Sequence, residues 1–332
     1  MPENAHEISL EAVIDRFQYD IGQYGSAETF ALPEVAGRIN HNMKYVQIND
    51  SLDQGMYLDE GLYRRDMQYG FFVQAGNRLT REDSHNKVFF GNMLLLPEGS
   101  DDEIHEQVAV KSRVSSETHK LLGEMALFQH LESLDIRTYR PAALLVGQKA
   151  THLMTYFEGN VATMDTVDWE NMEIEEAWVE VDKVIDTMMQ LYTNALFHGD
   201  LAFRNVAFDQ TGKTVIIDPE LMISAKESYD ELLDAGVLFT PKQQRIYDGI
   251  VQKMSGEMGS VFHSIDRHIL PLFPKQERPR SDEARLKIYK KHLFEPFKSR
   301  VRDLEDPIRS FLLRLTDDVV ARKKAHAKEQ KL

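Results

Sequence analysis

Residues 198–208 read HGDLAFRNVAF, and IIDPE follows at 216–220. Asp200 and Asn205 stand five positions apart, and Asp218 closes the apolar run TVIID. NVAF and TVIID, joined by DQTGK, have the pattern of two short strands around a turn. Such a hairpin brings the start of its first strand back beside the end of its second, so Asn205 and Asp218 become neighbours. An amide oxygen and a carboxylate are hard oxygen ligands, suited to a Mg²⁺ ion that carries phosphate groups. Asp200, set slightly apart, is free to accept a proton or to orient a nucleophile. One base and two metal ligands make the skeleton of a phosphoryl-transfer site.

The elements that must position these residues follow from the surrounding pattern. From Tyr69 to about Gly159 the chain is strand-rich: VFFGNMLLL (88–96) and EQVAVKS (106–112) flank the turn-forming cluster PEGSDDE. A helix follows, with Ser115 or Ser116 as its cap and apolar residues at Leu121, Leu122, Met125, Phe128 and Leu131. After Pro141 come two more apolar runs, AALLVG and THLMTYF. From Glu173 helices dominate, beginning with the amphipathic run EIEEAWVEVDKVIDTMMQLYTNALF. Beyond about Ser224 the pattern is helical, with breaks expected near Pro241, Pro271, Pro279, Pro296 and Pro307. The first 65 residues mix an amphipathic segment, 8–21, with polar, turn-like sequence. A strand-rich unit, then a helical one, is an α+β two-lobed layout with its seam near Gly159.

HGDLAFRN followed by IIDPE resembles the catalytic loop and metal-binding segment of the protein-kinase-like superfamily. The HGD form is most similar to the aminoglycoside phosphotransferase and choline kinase branch. The resemblance implies a bilobal fold with a small strand-rich N-lobe over 66–158 and a larger helical C-lobe over 159–332. Residues 1–65 are then an N-terminal extension of unassigned role. It also implies ATP and Mg²⁺ as cofactors, with Asp200 catalytic and Asn205 and Asp218 on the metal.

Upstream residues fit the same family. Alternation in VAVK places Ala109 and Lys111 on one strand face and Val108 and Val110 on the other. The family's strand lysine holds ATP phosphates, and its neighbouring alanine lines the adenine site. Glu124 shares a helix face with Leu121, Phe128 and Leu131, where an unpaired carboxylate is costly to bury. A salt bridge to Lys111 would resolve that cost. Glu117, the competing acid, lies in the first helical turn, where the helix dipole already accounts for it. THLMTYFEG looks like the strand and hinge between the lobes, which would bring the backbone around Thr155 to Phe157 to the adenine edge.

The pattern also departs from the family. No G-x-G-x-x-G precedes Lys111; Ser84, His85 and Asn86 in REDSHNKVFF resemble instead the glycine-poor phosphate loops of small-molecule kinases. Asp218 is followed by Pro219 and Glu220, which argues against a flipping activation segment; Glu220 is either a second ligand or a polar residue leaving the strand. DLAFRN is similar to the DLAARN loop of tyrosine kinases. TGKT at 211–214 lacks the first glycine of a P-loop and reads as a hairpin turn. His263 and His268 do not share a helix face, Trp169 and Trp178 read as packing residues, and His198 as a brace for the catalytic loop.

Composition narrows the partners. The absence of cysteine excludes disulfides and thiolate zinc sites. No apolar stretch is long enough to span a membrane, and the N-terminus lacks a signal-peptide pattern, so the expected location is the cytoplasm. Net charge is −15, yet the segment from Arg278 onward is basic. The acidic body disfavours nucleic acid, while the N-terminal extension or basic C-terminus could meet a protein partner. The expected activity is transfer of the γ-phosphate of ATP to a hydroxyl acceptor, for which a small and cationic compound suits the acidic body. The alternatives are a protein kinase of the effector or phage type, a non-catalytic pseudokinase scaffold, and an enzyme that transfers AMP.

Overall fold

The computed structural model describes residues 43–49, 54–62, 69–78, 87–97, 103–114, 117–146, 150–156, 163–209, 211–236 and 238–329. Ser84, Asn86 and Phe157, the serines at 115 and 116 expected from the sequence to cap the helix, and the amphipathic segment expected at 8–21 all lie outside these residues. The described residues up to Tyr156, with Asp218–Glu220, form one compact unit. Those of Thr163 to Ile217 and of Leu221 to Glu329 form another.

The first unit is built on strands β1 (Met43–Asn49), β2 (Gln54–Asp59), β3 (Tyr69–Arg78), β4 (Lys87–Pro97), β5 (Ile104–Val114), β6 (Pro141–Val146) and β7 (Ala150–Tyr156). They pair antiparallel in the order β1-β2-β6-β7-β5-β4-β3. β1 and β2 come from the segment that the sequence reading set apart as an extension, and β2 hydrogen-bonds directly to β6. The reason is visible in QGMYLD: Met56 and Leu58 are fully buried on one face of the sheet while Tyr57 packs on the other. Two-sided burial removes the polar alternation that marks a half-exposed strand.

Each face of the sheet carries its own apolar cluster. On one side Val108 and Val110 of β5 join Met56, Leu58, Met93, Leu95 and Met154. On the other, helix α1 (Thr118–Ser133) lays Leu121, Leu122, Met125 and Phe128 against Leu144 of β6 and Leu153 of β7. Leu153 pairs in register with Lys111, so the face that receives α1 is the face that carries the lysine. Glu117 caps α1 without a side-chain hydrogen bond.

In the second unit helix α2 (Ile174–Thr193) ends earlier than its apolar pattern. Ala195 has φ 54°, and Leu196–Phe197 turn into the two-residue strand β8. β9 (Val206–Phe208) and β10 (Thr214–Ile216) form the expected hairpin, with Ile216 opposite Val206. Gly212, at φ 74°, turns it, and Asp209 Oδ1 accepts from the Thr211 and Lys213 amides; TGKT is a turn. β11 (Ile223–Ser224) then pairs back with β8.

Helices α3 (Lys226–Ala235), α4 (Pro241–His268), α5 (Asp282–Tyr289), α6 (Glu295–Arg302) and α7 (Ile308–Glu329) complete the chain. Pro241 opens α4, where its missing N–H costs nothing, and Thr240 and Gln243 form a reciprocal capping box. Pro296, expected to break a helix, does not. A π-helical stretch, Lys290–Phe294, joins α5 to α6, and its wider turn relieves the clash proline makes with the carbonyl four residues back. An aromatic chain lines the core of this unit: Tyr192 packs tilted against Phe197 at 5.4 Å and edge-on against Phe297 at 5.9 Å, and Tyr229 meets Phe311 edge-on at 4.7 Å. Among the described residues no helix is long and apolar enough to cross a membrane.

Leu121 is fully buried at the contact between α1 and the sheet. Leu121→Ala is expected to lower the unfolding free energy by about 2–5 kcal/mol, measurable by urea denaturation.

Candidate active site

Two constellations of polar side chains, one in each unit, contain the predicted site residues. The first centres on Lys111. It sits in β5 two residues beyond Ala109, with only 8% of its surface exposed. Its Nζ donates to Glu124 Oε2 at 2.7 Å, to Asp218 Oδ1 at 2.6 Å and to Glu220 Oε2 at 3.3 Å. Glu117 does not take part; it pairs with Lys120 at 2.7 Å and with Arg113 at 3.3 Å. Burial lowers the affinity of Lys111 for its proton, but the charges of Glu124, Asp218 and Glu220 outweigh it and hold the pKa well above the ordinary lysine value. For Glu124, at 3% exposure, burial dominates and pushes the carboxyl up to about 7, against the pull of Lys111.

Three carboxylates thus gather around one ammonium. Glu124, Asp218 and Glu220 each place an oxygen within 4.8 Å of the others. That donor set, hard oxygen with surplus negative charge, is what Mg²⁺ selects, and a buried lysine beside it suits phosphate oxygens. The residues present therefore fit an ATP and Mg²⁺ site. Asp218 itself has φ 52°, an uncommon value for a non-glycine residue. Ala109 and Thr155 are register partners on β5 and β7, so the two residues expected at the adenine lie side by side.

The second constellation is the loop from His198 to Asn205, which leaves β8 and enters β9. Asn205 is buried, and its Nδ2 donates to the Asp200 carbonyl at 2.7 Å and to Asp200 Oδ2 at 3.1 Å. Its Oδ1 is left as the acceptor atom a cation would use. Arg204, half-exposed, donates to Asp200 Oδ2 at 2.5 Å, and Ser260 Oγ approaches Oδ1 at 3.4 Å. Asp200 itself is only partly buried. His198 is fully buried, with Nε2 3.0 Å from the Ile217 carbonyl oxygen. The Asn205 carbonyl accepts from the Ile217 amide at 3.1 Å, extending the β9–β10 hairpin to the residue before Asp218. Trp169 stacks on Phe203 at 5.7 Å and so packs the loop.

Sequence reasoning missed Glu257. This residue of α4 is 2% exposed, accepts from the His198 amide at 3.1 Å and also from the Gly199 amide. Its Oε2 has no hydrogen-bond partner among the described residues. Burial pushes its carboxyl up to about 8 despite those two amides. Gly199 tolerates no side chain: φ is 83°, and a Cβ would lie 2.5 Å from the Leu221 carbonyl oxygen. The signal for Glu257 was available, since it interrupts the stripe of Met254, Met258 and Val261 as Glu124 interrupts its own.

Residues 100–237 match the family model of the RIO domain, an atypical protein-kinase-like family. Over that span the chain is similar to a protein-kinase-like domain. The match spans Lys111, Glu124, Asp200, Asn205 and Asp218, and covers less than half of the chain. It supports the kinase-like superfamily and a bilobal α+β fold, and lends no support to the aminoglycoside phosphotransferase and choline kinase branch. No curated protein shows significant similarity to the chain.

Two outcomes follow from these networks. Lys111→Met removes the ammonium that Glu124 and Asp218 share and is expected to cost about 3–5 kcal/mol; K111M/E124M should recover at least half, by chemical denaturation. For Glu257, the raised pKa means that folding takes up a proton, so its contribution to stability is greatest at acid pH and is lost as pH rises from the ordinary glutamate range through about 8. The stability of Glu257→Gln relative to the native chain should therefore rise between pH 5 and 8 in pH-dependent unfolding.

Proposed function

We propose that the protein is an ATP-dependent kinase that transfers phosphate to a hydroxyl group on a protein acceptor. The observation that carries this reading is the buried Lys111–Glu124 pair with Asp218 on the same ammonium, inside the span that matches the RIO domain. That match also moves the acceptor from the small hydroxyl compound suggested by the HGD form and acidic body toward a protein, since the RIO family comprises atypical protein kinases and ATPases.

In this reading Lys111, oriented by Glu124, holds phosphate oxygens. Asp218 and Asn205 are the residues that would hold Mg²⁺, and Ala109 and Thr155 line the adenine. ATP and Mg²⁺, when bound, supply the phosphoryl group and neutralise the charge that builds on it. Asp200 orients the acceptor hydroxyl and accepts its proton. Asn205 keeps the Asp200 carboxylate in place through its amide, and Glu257 holds the backbone of the loop that presents it. Arg204 lies on the Asp200 carboxylate, in the loop similar to that of tyrosine kinases, where an incoming hydroxyl would exchange with its guanidinium.

Incubation of the full chain with labelled ATP, Mg²⁺ and protein mixtures, in parallel with sugars and aminoglycosides, tests the acceptor. Mass spectrometry of the products separates phosphate transfer, AMP transfer and no transfer. Asp200→Asn is expected to lower turnover by about 10²- to 10⁴-fold while leaving nucleotide binding within reach of the native value. Retention of most of the activity would refute the role given to Asp200.

A further inference from the structure

A hydroxyl that takes the place of Arg204 on Asp200 leaves a guanidinium to be matched. Arg204 Nη2 donates to Asp200 Oδ2 at 2.5 Å, and that carboxylate is its sole ion-pair partner among the described residues. The Arg204 side chain is 58% exposed, so the pair is weakly held and free to exchange. Oδ2 also accepts from Asn205 Nδ2 at 3.1 Å, which fills both acceptor sites of that oxygen. Asn205 is buried and tied a second time, to the Asp200 carbonyl at 2.7 Å. Of the two donors, Arg204 is the one that can leave.

A guanidinium left on the carboxylate would compete with the hydroxyl for it, and one set free without a partner would forgo its ion pair. An anion carried by the acceptor resolves both, because it draws Arg204 away and replaces Asp200 like for like, carboxylate for carboxylate. The surroundings admit such a charge in spite of the chain's net −15. Ser260, whose Oγ lies 3.4 Å from Asp200 Oδ1, stands on a face of α4 that continues through His263 and Arg267 at i+3 and i+7. Both are exposed, and neither forms an ion pair with an acid among the described residues. One turn before Ser260 on the same face, Gly256 is exposed, and a Cβ there would meet only open space. All of these residues belong to the second unit.

We propose that Arg204 is a specificity-determining residue that pairs with a carboxylate beside the acceptor hydroxyl, so that the acceptor is a protein segment with Asp or Glu next to the residue that receives phosphate. This rests on the reading of the protein as a kinase in which Asp200 accepts the hydroxyl proton. Arg204 Nη2 stands 2.5 Å from the oxygen that receives the hydroxyl. The acid must therefore lie within a side chain's length of that hydroxyl, on an adjacent residue. The planar fork of a guanidinium suits a carboxylate in a way that the point charge of a lysine does not.

The test is phosphate transfer from ATP and Mg²⁺, by the full chain, to peptide libraries in which Ser, Thr and Tyr are flanked by Glu, by Ala or by Lys. The native chain is expected to favour Glu-flanked over Ala-flanked peptides by about tenfold in kcat/KM, and R204Q to bring the two within about twofold. Equal use of the two libraries by the native chain overturns the proposal. So does a preference that survives in R204Q, since a hydroxyl bound at Oδ1 would leave Arg204 where it is. Should R204Q fail to fold, the preference of the native chain is followed into about 1 M salt, where exposed charges are screened within about 3 Å. Its loss supports the ion pair, and its persistence overturns it. Transfer without preference strikes the proposal alone; if no peptide and no other hydroxyl compound takes phosphate, the kinase reading itself falls, and the two failures are told apart.

Discussion

A buried ammonium is among the most expensive groups a protein can carry, and Lys111 is tolerable only because three carboxylates meet it. Those carboxylates come from separate parts of the chain. Glu124 lies thirteen residues on, in α1, and Asp218 and Glu220 lie more than a hundred residues on. The charge balance therefore constrains the architecture. α1 must pack on the sheet face that holds Lys111, which its apolar stripe does through Leu144 and Leu153. The segment 218–220 must belong to the unit of the sheet, although the residues on either side of it belong to the helical unit.

The same principle recurs in the loop from His198 to Asn205, where the buried polar group is an acid. Its buried centre is the carboxyl of Glu257, and its partners are backbone amides of His198 and Gly199. Backbone groups cannot rearrange as side chains do, so the loop is fixed at its stem. At its tip, Asp200 and half-exposed Arg204 remain near solvent. Rigid support behind an accessible carboxylate suits the role proposed for Asp200.

Much of this was legible in the chain itself. VFFGNMLLL and EQVAVKS are strands because β-rich runs bounded by turn residues have no better use, and Lys111 and Glu124 stood out because each placed a charge on an apolar background. Other features were hidden for identifiable reasons. β2 is buried on both faces, so its alternation vanished. α2 surrendered Leu196 and Phe197 to a strand because β11 offers them backbone partners. Pro296 sits within a helical run because a π-helical turn absorbs it. The branch suggested by the three-residue HGD signature finds no support, whereas the similarity to the RIO domain extends over residues 100–237.

The sequence alone determined the chemistry on offer: a lysine, a histidine, an asparagine and a set of acids at spacings that suit phosphoryl transfer, because side-chain type and local periodicity are properties of short segments. Only the tertiary structure decided which acids share a cation and which hold a loop. It drew Glu220 to Lys111 and Arg113, left Glu117 at the helix start, and set Glu257 beneath the His198 backbone. Such pairings depend on which faces of distant elements are brought together, and on the cost of leaving any charge there unmatched, neither of which is encoded within a single segment.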